Sequence, residues 1–251
     1  RPPGPTPTGP AAPVLVLERV TGGGMAAPPL RTGQGLPIGS WLETAENGRA
    51  AWRMRGASVR QDRGTLVRLL GPAALWLERG ALYVDGAGGA AAIEIRTAQG
   101  RILEVGTQFE VRASTPRLSV RVREGSVVLV RGQERHEVAA GRGLEADART
   151  VAQRVVASHG PGWSWVEEVA PEFPLEGRTL RSFLAWTARE TGWRIRFARS
   201  GDAERAASIT LHGSGAGLAP RDALATVLPS CGFVWRREGG TVWIEPAGEA
   251  R

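Results

Sequence analysis

Hydrophobic and polar positions alternate with a period of two along residues 105–130. This alternation is typical of β-strands that bury one face and leave the other face polar. The dipeptide Glu124-Gly125 interrupts the second half of the stretch, and glycine can take the positive φ that a two-residue hairpin loop needs. The pattern therefore predicts a three-stranded meander in which Val122 pairs with Val127 across that loop.

Short runs with strand periodicity recur about every 8–12 residues over residues 14–145, and glycines separate them. This spacing is typical of β-sandwiches and rolls. Asn47-Gly48 is a strong hairpin signal, which predicts that residues 41–44 pair with residues 50–54. Helical periodicity is absent from this region of the sequence. The pattern therefore predicts an all-β sandwich or roll.

A helical period enters only after Phe173. Thr179 is a good N-cap, the apolar residues from Leu180 onward fall on one face of a helix, and Gly192 suits its C-terminal end. Pro220 suits the first turn of a second helix. The strands predicted around these helices cover residues 173–177, 193–197, 208–212, 233–236 and 241–244. The sequence therefore predicts a mainly β protein that ends in a small α+β region with the order β-α-β-β-α-β-β.

Composition divides the chain into four parts. The first residues are rich in Pro and lack Met, so we expect that a membrane helix precedes them in a longer protein. A cluster of Gly and Pro then separates the two periodic regions. The predicted parts are a Pro-rich linker at 1–13, an all-β domain at 14–145, a connector at 146–170 and an α/β interaction domain at 171–246.

Two tryptophans, Trp163 and Trp165, lie in the predicted connector. Tryptophan carries a large apolar area, which in a connector is usually buried against a neighbouring domain. We therefore predict that both side chains pack between the two domains. The alternative is that they anchor a binding partner.

The positive charge of the chain does not by itself indicate nucleic-acid binding. The net charge is +7, but all 32 basic residues are Arg, and they are scattered among acidic residues without a nucleic-acid-binding motif. Arg112, Arg121 and Arg123 form a row on one predicted strand face. The row is either a solvated outer face or a surface that recognises acidic groups of a partner or a surface polymer.

Enzymatic chemistry has no candidate residues in the sequence. His136, His159 and His212 stand far apart, and none has a second ligand at metal-binding spacing. Glu167 and Glu168 are adjacent, whereas a glycosidase needs two carboxylates that face one cleft. The sequence therefore predicts no catalytic, metal-binding or cofactor-binding residue, no cofactor and no nucleic-acid partner.

Several motifs of the first region resemble the FecR domain. In chain order they are Leu42-Glu43-Thr44, Asp62-Arg63-Gly64-Thr65, Gly80-Ala81-Leu82-Tyr83-Val84-Asp85, Thr97-Ala98-Gln99-Gly100, residues 105–111 and residues 120–127. The resemblance covers roughly residues 14–145. It implies an all-β domain outside the cytoplasmic membrane, often the outer half of a transmembrane signal-transducing regulator.

The second region is similar to the short domain at the N-terminus of secretins and of TonB-dependent transducers, the STN domain. The positions that carry this similarity are Phe173, Leu175, Gly177, Leu180, Leu184, Ile195, Phe197, Ile209, Leu218, Ala223, Leu224, Leu228, Gly232, Phe233, Thr241 and Ile244. FecR-type regulators can carry such a module after the FecR domain, so the order of the two regions agrees with the resemblance.

Together the two resemblances imply a non-enzymatic, anti-sigma-like regulator in the periplasm, tethered to the bacterial inner membrane through a segment missing from this chain. They also imply a protein partner, namely the periplasmic signalling domain of a TonB-dependent transducer, with iron-siderophore uptake as the usual context. Two alternatives stay open. One is a periplasmic scaffold that binds a cell-envelope polymer, and the other is an enzyme of unfamiliar type.

Two features of the second region are candidate partner-binding sites. Arg236 and Trp243 are predicted on the outer face of the last hairpin, as a cation–π pair or a hot-spot anchor. The other candidate is a predicted exposed strand edge, which can accept a strand from a partner. Its residues are Ile209, Thr210, Leu211 and His212. The alternative for both features is that they are ordinary solvent-facing residues.

Overall fold

A computed structural model describes residues 14–86 and 92–248. The linker predicted for residues 1–13 lies outside the described residues. Strands account for 49% of the structure and helices for 17%. The predicted mainly β fold with a small α+β part at the C-terminal end is therefore confirmed.

One large sheet of 14 strands takes up the first two thirds of the described chain. The strands are β1 (Leu15–Thr21), β2 (Met25–Ala27), β3 (Gly35–Leu36), β4 (Trp41–Thr44), β5 (Arg49–Met54), β6 (Ala57–Gln61), β7 (Leu66–Gly71), β8 (Ala74–Asp85), β9 (Glu94–Thr97), β10 (Gly100–Ser114), β11 (Arg117–Arg131), β12 (Glu134–Ala139), β13 (Arg142–Ala146) and β14 (Val151–Val155). As the periodicity predicts, no helix interrupts the described residues up to β14.

Three long strands, β8, β10 and β11, change partners along their length. The first half of β8 pairs with β7, and its second half pairs with β6 and β10. The first half of β11 pairs with β13, and its second half pairs with β12. The apolar residues of one face of these strands, among them Phe109, Val120 and Leu129, belong to a single hydrophobic core.

The hairpin predicted at Glu124-Gly125 is wrong. The chain runs straight through these residues as β11, so Val122 lies opposite Phe109 of β10 rather than opposite Val127. Gly125 has a φ of 74°, and the β10–β11 register shifts at the opposing residues. A positive-φ glycine therefore serves a bulge inside a continuous strand pair here.

The pairing predicted around Asn47-Gly48 is also wrong, although a turn does form there. β4 pairs with β2 and β7, whereas β5 pairs with β1 and β6. The turn signal is local, but the partner of each strand is chosen by the burial of its apolar face in the wider sheet.

The C-terminal unit follows a connecting segment, which we define as residues 157–170. The connecting segment contains a 3-10 turn at Pro161–Trp163 and the short helix α1 (Ser164–Glu168). The elements of the C-terminal unit are α2 (Leu180–Thr191), β15 (Arg194–Phe197), α3 (Asp202–Ser208), α4 (Pro220–Ser230), β16 (Phe233–Glu238) and β17 (Thr241–Pro246). Its strands form a separate three-stranded sheet in the order β15-β17-β16, over a second hydrophobic core.

Helix α2 forms where its capping residues predict it. The hydroxyl of Thr179 accepts a hydrogen bond from the backbone N–H of Ser182 at 3.2 Å. Gly192 ends the helix with a φ of 70°, which only glycine adopts at little cost. The apolar face of α2 packs on the second core through Leu180, Phe183 and other residues.

Two strands predicted in the C-terminal unit are absent from its sheet. Residues 173–177 form no strand, and residues 208–212 contribute only an isolated bridge from Thr210 to Thr179. A third helix, α3, occupies the residues just before this bridge, with Asp202 and Glu204 favourably placed in its first turn. None of the helices among the described residues is long and apolar enough to span a membrane.

Candidate functional site

The outer face of the large sheet carries charged side chains that are buried. A row of cross-strand neighbours joins Arg60 on β6 to Tyr83 on β8, then Glu110 on β10 and Arg121 on β11. The side chain of Arg60 is 0% exposed, and Tyr83 and Glu110 are buried as well. Charged residues are almost never fully buried unless they are paired, so another part of the chain must cover this face.

The connecting segment and α2 provide the cover. Trp163 is 1% exposed and Trp165 is 6% exposed, and both belong to a small apolar cluster with Tyr83 on the outer face. The rings of Trp163 and Tyr83 meet edge to face with centroids 6.1 Å apart. The Nε1 of Trp165 donates a hydrogen bond to the Oε2 of Glu110 at 2.8 Å. The two tryptophans therefore lie against the outer face of the large sheet, and their packing between the two domains stays a prediction.

The row of arginines on β10 and β11 is not a solvated face. The guanidinium carbons of Arg121 and Arg123 lie 4.3 Å and 4.5 Å from the centroid of the Trp163 ring. Arg121 also binds the carboxylate of Glu110, with its Nη2 2.6 Å from Oε2. Arg112 lies nearer the rim and contacts Asp62 at 3.2 Å. Arg121 and Arg123 therefore hold the connecting segment in place, whereas Arg112 is exposed.

Arg60 carries a buried charge that the C-terminal unit neutralises. Its Nη1 lies 2.7 Å from the Oε2 of Glu190 on α2 and donates to the carbonyl oxygen of Val166 at 2.9 Å. Burial acts to lower the pKa of Arg60, but the charge of Glu190 and the hydrogen bond to it outweigh burial, so the pKa is raised. Burial also raises the pKa of the neighbouring Tyr83, which keeps its hydroxyl neutral.

Adjacent glutamates of α1 reach in different directions. Glu167 binds Arg221 of α4 through two hydrogen bonds of 2.6 and 2.8 Å. Glu168 pairs with Arg49 of β5 in the large sheet. The hydrogen bond with Glu167 is the main cause that raises the pKa of Arg221. Helix α1 is therefore fixed between the large sheet and the C-terminal unit by one ion pair on each side.

A second ion pair joins the large sheet directly to α2. The guanidinium of Arg189 binds the carboxylate of Asp85 on β8, with its Nε 2.9 Å from Oδ2. The amide of Gln108 donates to the same Oδ2 at 3.0 Å. We name the polar contact between the outer face, the connecting segment and α2 the inter-unit interface. Its polar members are Arg49, Arg60, Tyr83, Asp85, Gln108, Glu110, Arg121, Arg123, Glu167, Glu168, Arg189, Glu190 and Arg221.

The inter-unit interface retains buried polar atoms that lack hydrogen-bond partners among the described residues. They include the Nη2 of Arg60 and the Nε and Nη2 of Arg123. A buried ion pair loses much of its Coulombic gain to desolvation, so a contact of this kind is weak evidence for stability. The ion pairs of the inter-unit interface alone are therefore no measure of how tightly the two units hold together.

The strand predicted at residues 208–212 does not form as part of a sheet, so residues 209–212 are not the edge strand that the sequence predicts. The backbone N–H of Leu180 donates to the carbonyl of Ile209, and the N–H of Leu211 donates to the carbonyl of Arg178. The side chain of Leu211 is buried in the second core. Thr210 and His212 are exposed, and His212 pairs with Glu176 at 2.9 Å.

Arg236 and Trp243 lie opposite each other on the outer face of the three-stranded sheet. The guanidinium carbon of Arg236 is 5.7 Å from the centroid of the Trp243 ring, so the predicted cation–π geometry is present. Arg196 is the neighbour of Trp243 on the other side, on β15. This face is solvent-accessible and combines an aromatic ring with arginines, a composition found at binding hot spots.

The histidines and carboxylates form no metal centre among the described residues, where no group of three or more potential ligands comes together. His136 contacts Glu134 at 3.2 Å on the surface, and His159 lies against the β16–β17 turn at Gly240. The residues of the inter-unit interface were missed by sequence reasoning. The polar outward positions of β8 and β10, next to a connector with two tryptophans, are the signal that indicates them.

Comparison with known proteins matches part of the chain to a family. Residues 41–128 match the FecR protein family. The matched stretch runs from β4 into β11 and includes Arg60, Tyr83, Asp85 and Glu110 of the inter-unit interface. A search of curated proteins found no match to the chain.

Two solved structures resemble most of the chain loosely. Both are of a "putative anti-sigma factor" from Parabacteroides distasonis ATCC 8503, at 14% and 13% sequence identity and a TM-score of 0.45. Each likeness covers 83% of this chain, and 99% and 100% of the respective solved chains. Likenesses this distant carry no argument about the function of this chain. The predicted similarity of the C-terminal unit to the STN domain has no match among these comparisons and stays a prediction.

Proposed function

We propose that this chain is the non-enzymatic, periplasmic part of a FecR-type, anti-sigma-like regulator. The observation that carries the proposal is the FecR match over residues 41–128, which falls on the strands that build the inter-unit interface. A regulator must couple an external event to a change in its own structure. An interface of paired charges between two units is a suitable place for that coupling.

The exposed sheet of the C-terminal unit is the docking surface in this proposal. Arg236 and Trp243 lie at its centre, and Arg196 lies beside them. Arg236 is bound to Glu238 and Glu245 of its own hairpin. A partner with carboxylates at its contact surface therefore competes with these glutamates for Arg236 and pairs with Arg196, while Trp243 contributes apolar area. The partner proposed is the periplasmic signalling domain of a TonB-dependent transducer, with iron uptake as the context.

The message passes through the inter-unit interface. Docking on the C-terminal unit shifts the balance between closed and open states of the contacts made by Glu190, Arg189 and Arg221. A partner can move this balance only by the difference between its affinities for the two states. The FecR-type sheet, tethered to the inner membrane through a preceding segment, then transmits the change towards a sigma factor.

A direct binding measurement tests the proposal. Purified chain is titrated with the periplasmic domain of each transducer encoded beside its gene, and with purified envelope polysaccharide. The variant Arg236→Glu should weaken transducer binding by at least about tenfold, which corresponds to about 1.4 kcal/mol. The matched control Arg181→Glu changes charge equally on an exposed face of α2 and should have little effect.

Two outcomes would overturn the proposal. One is binding of polysaccharide without binding of any transducer domain, which would favour the scaffold alternative. The other is transducer binding that both charge variants weaken equally, since that would place the contact outside the Arg236–Trp243 face.

A further inference from the structure

A cleft opens where the large sheet, the connecting segment and the C-terminal unit meet. Its volume is about 360 Å³, which is within the range of small-molecule sites, about 300–1,000 Å³. The lining residues are Gln108, Arg123, Glu124, Ser158, Ala188, Arg189, Gly192, Trp193 and Arg194. They come from β10, β11, the connecting segment, α2 and β15, so every part of the junction contributes.

Arginines surround Trp193 on the wall of this cleft. The guanidinium carbons of Arg221 and Arg237 lie 5.1 Å and 5.6 Å from the centroid of the Trp193 ring. Arg194 follows Trp193 directly and is exposed, while Arg123 forms the floor and is 6% exposed. The lining and the side chains packed on Trp193 therefore bring together arginines from β11, α4, β15 and β16, while Glu124 is the one carboxylate among the lining residues.

Most of this charge is not compensated by the protein. Arg221 is paired with Glu167, but Arg123, Arg194 and Arg237 make no ion pair with a carboxylate among the described residues. Arg123 uses only its Nη1 for hydrogen bonds, to the backbone carbonyl of Glu190 at 2.9 Å and to the hydroxyl of Tyr83.

Two buried side chains of the lining also keep unused donors. The Nε and Nη2 of Arg123 have no hydrogen-bond partner in the described chain, and the same is true of the Nε1 of Trp193, whose side chain is 5% exposed. Buried donors nearly always have a hydrogen-bond partner in folded proteins. A buried donor without one calls for an explanation, such as an ion that binds to it. The charged residues around His159 are also positive. Burial and then the charges of Arg237, Arg123, Arg194 and Arg221 lower its pKa.

We propose that this cleft, which we name the junction cleft, binds a small phosphate-type polyanion. The guanidinium group of Arg194 in the lining supplies forked donors that suit phosphate oxygens. Arg123 in the lining adds a buried positive charge, and Arg237 adds charge from beside the lining, where it lies over the Trp193 ring. Because both units contribute to the lining, a bound anion stabilises the closed inter-unit interface relative to the open one. Occupancy of the junction cleft is thus a second input to the same contact, independent of the docking surface at Trp243.

Isothermal titration with pyrophosphate at constant ionic strength tests this site. Wild-type chain should bind pyrophosphate saturably, and the double variant R194Q/R237Q should bind it at least about tenfold more weakly. The control R135Q/R181Q loses the same two charges at exposed positions outside the junction cleft and should bind like wild type. Wild type without saturable binding, or equal losses in both double variants, would refute the site.

The protonation of His159 provides an independent readout by NMR. An anion in the junction cleft offsets the arginine charges, so pyrophosphate should raise the pKa of His159 towards its ordinary value. The NMR signals of the exposed His212, which pairs with Glu176 and does not line the cleft, serve as the reference. Binding that leaves the pKa of His159 unchanged would place the anion elsewhere and overturn the assignment.

Discussion

The carboxylate of Glu190 lies 2.7 Å from the guanidinium of Arg60, although Glu190 belongs to α2 of the C-terminal unit and Arg60 to β6 of the large sheet. Neither side chain is exposed by more than 5%. The pair is therefore a buried ion pair in which the C-terminal unit neutralises a charge of the large sheet. Its loss has consequences that differ according to which partner is removed.

Replacing Glu190 by Gln should destabilise the protein strongly, because Arg60 then keeps an uncompensated buried charge. The expected loss is about 3–5 kcal/mol of unfolding free energy. The double variant Arg60→Met/Glu190→Met removes both charges and should recover most of this loss. Urea denaturation measures both. A single variant no less stable than the double one would contradict a neutralising role for Glu190.

Replacing Trp163 by Ala should also be costly, because its ring fills the space between Tyr83, Arg121 and Arg123. The expected loss is about 3–5 kcal/mol. The control Trp41→Ala removes an exposed ring of the same type, and such surface changes usually stay within about 0.5 kcal/mol. Urea denaturation compares the two variants, and limited proteolysis at residues 157–170 reports opening of the connecting segment. Equal stabilities would count against the packing role.

The bulge at Gly125 should be intolerant of a side chain. A Cβ at Gly125 would lie 2.6 Å from the Cγ2 of Thr107, in addition to the strain of its positive φ. At Gly132 the φ is also positive, but a Cβ would meet no atom within 4 Å. Gly132→Ala should therefore lower the unfolding free energy only by the strain of the positive φ, about 1–2 kcal/mol. Gly125→Ala should lower it by clearly more. Thermal or urea unfolding of the pair measures the difference, and similar losses would contradict the close approach to Thr107.

Stability should depend on pH through His159. Its folded-state pKa is lowered, first by burial and then by Arg237, Arg123, Arg194 and Arg221. Folding therefore favours the neutral ring, and the associated stability is lost as the pH falls below about 6.5, the ordinary value of the unfolded state. The variant His159→Gln should flatten this part of the stability profile. Arg237→Gln should raise the pKa of His159 in an NMR titration. An unchanged pKa would show that the charge of Arg237 does not lower the pKa of His159.

Salt should loosen the inter-unit interface selectively. The Arg221–Glu167 and Arg49–Glu168 pairs each include a partly exposed side chain, so ions screen them. Raising NaCl from about 0.05 M to about 0.5 M shortens the Debye length severalfold and should speed hydrogen exchange in residues 157–170. Amides in the β10–β11 ladder serve as the internal control, because backbone pairing there does not depend on these charges. A uniform response of both regions would contradict selective opening.

The sequence alone predicts the strand content, the position of α2 and the late entry of helices, because these follow from local periodicity and capping. It does not predict which strands pair. Gly125 illustrates the reason, since a hairpin and a bulge require the same positive φ and only the burial of the neighbouring residues in the sheet selects between them. The segment at Leu211 illustrates the converse. Its alternation satisfies a strand pattern, yet the preceding helix α3 leaves room for a single bridge.

The candidate site was harder to predict than the fold. Polar residues on one face of a strand, such as Tyr83, Asp85 and Glu110, have the pattern of a solvated surface. Whether another part of the chain covers that surface is a matter of tertiary structure. The tryptophans of the connecting segment were the local clue that a cover exists, and the arginine partners of Glu167 and Glu168 lie too far away in sequence to be paired by any motif.

The polar character of the outer face bears on how the protein is made. During synthesis N-terminal regions emerge and fold first, so the strands that carry Arg60, Tyr83 and Glu110 leave the ribosome well before α2 follows. A hydrophobic surface that is exposed during this interval promotes aggregation. A charged surface stays hydrated until its intramolecular partner, the connecting segment with α2, packs on it.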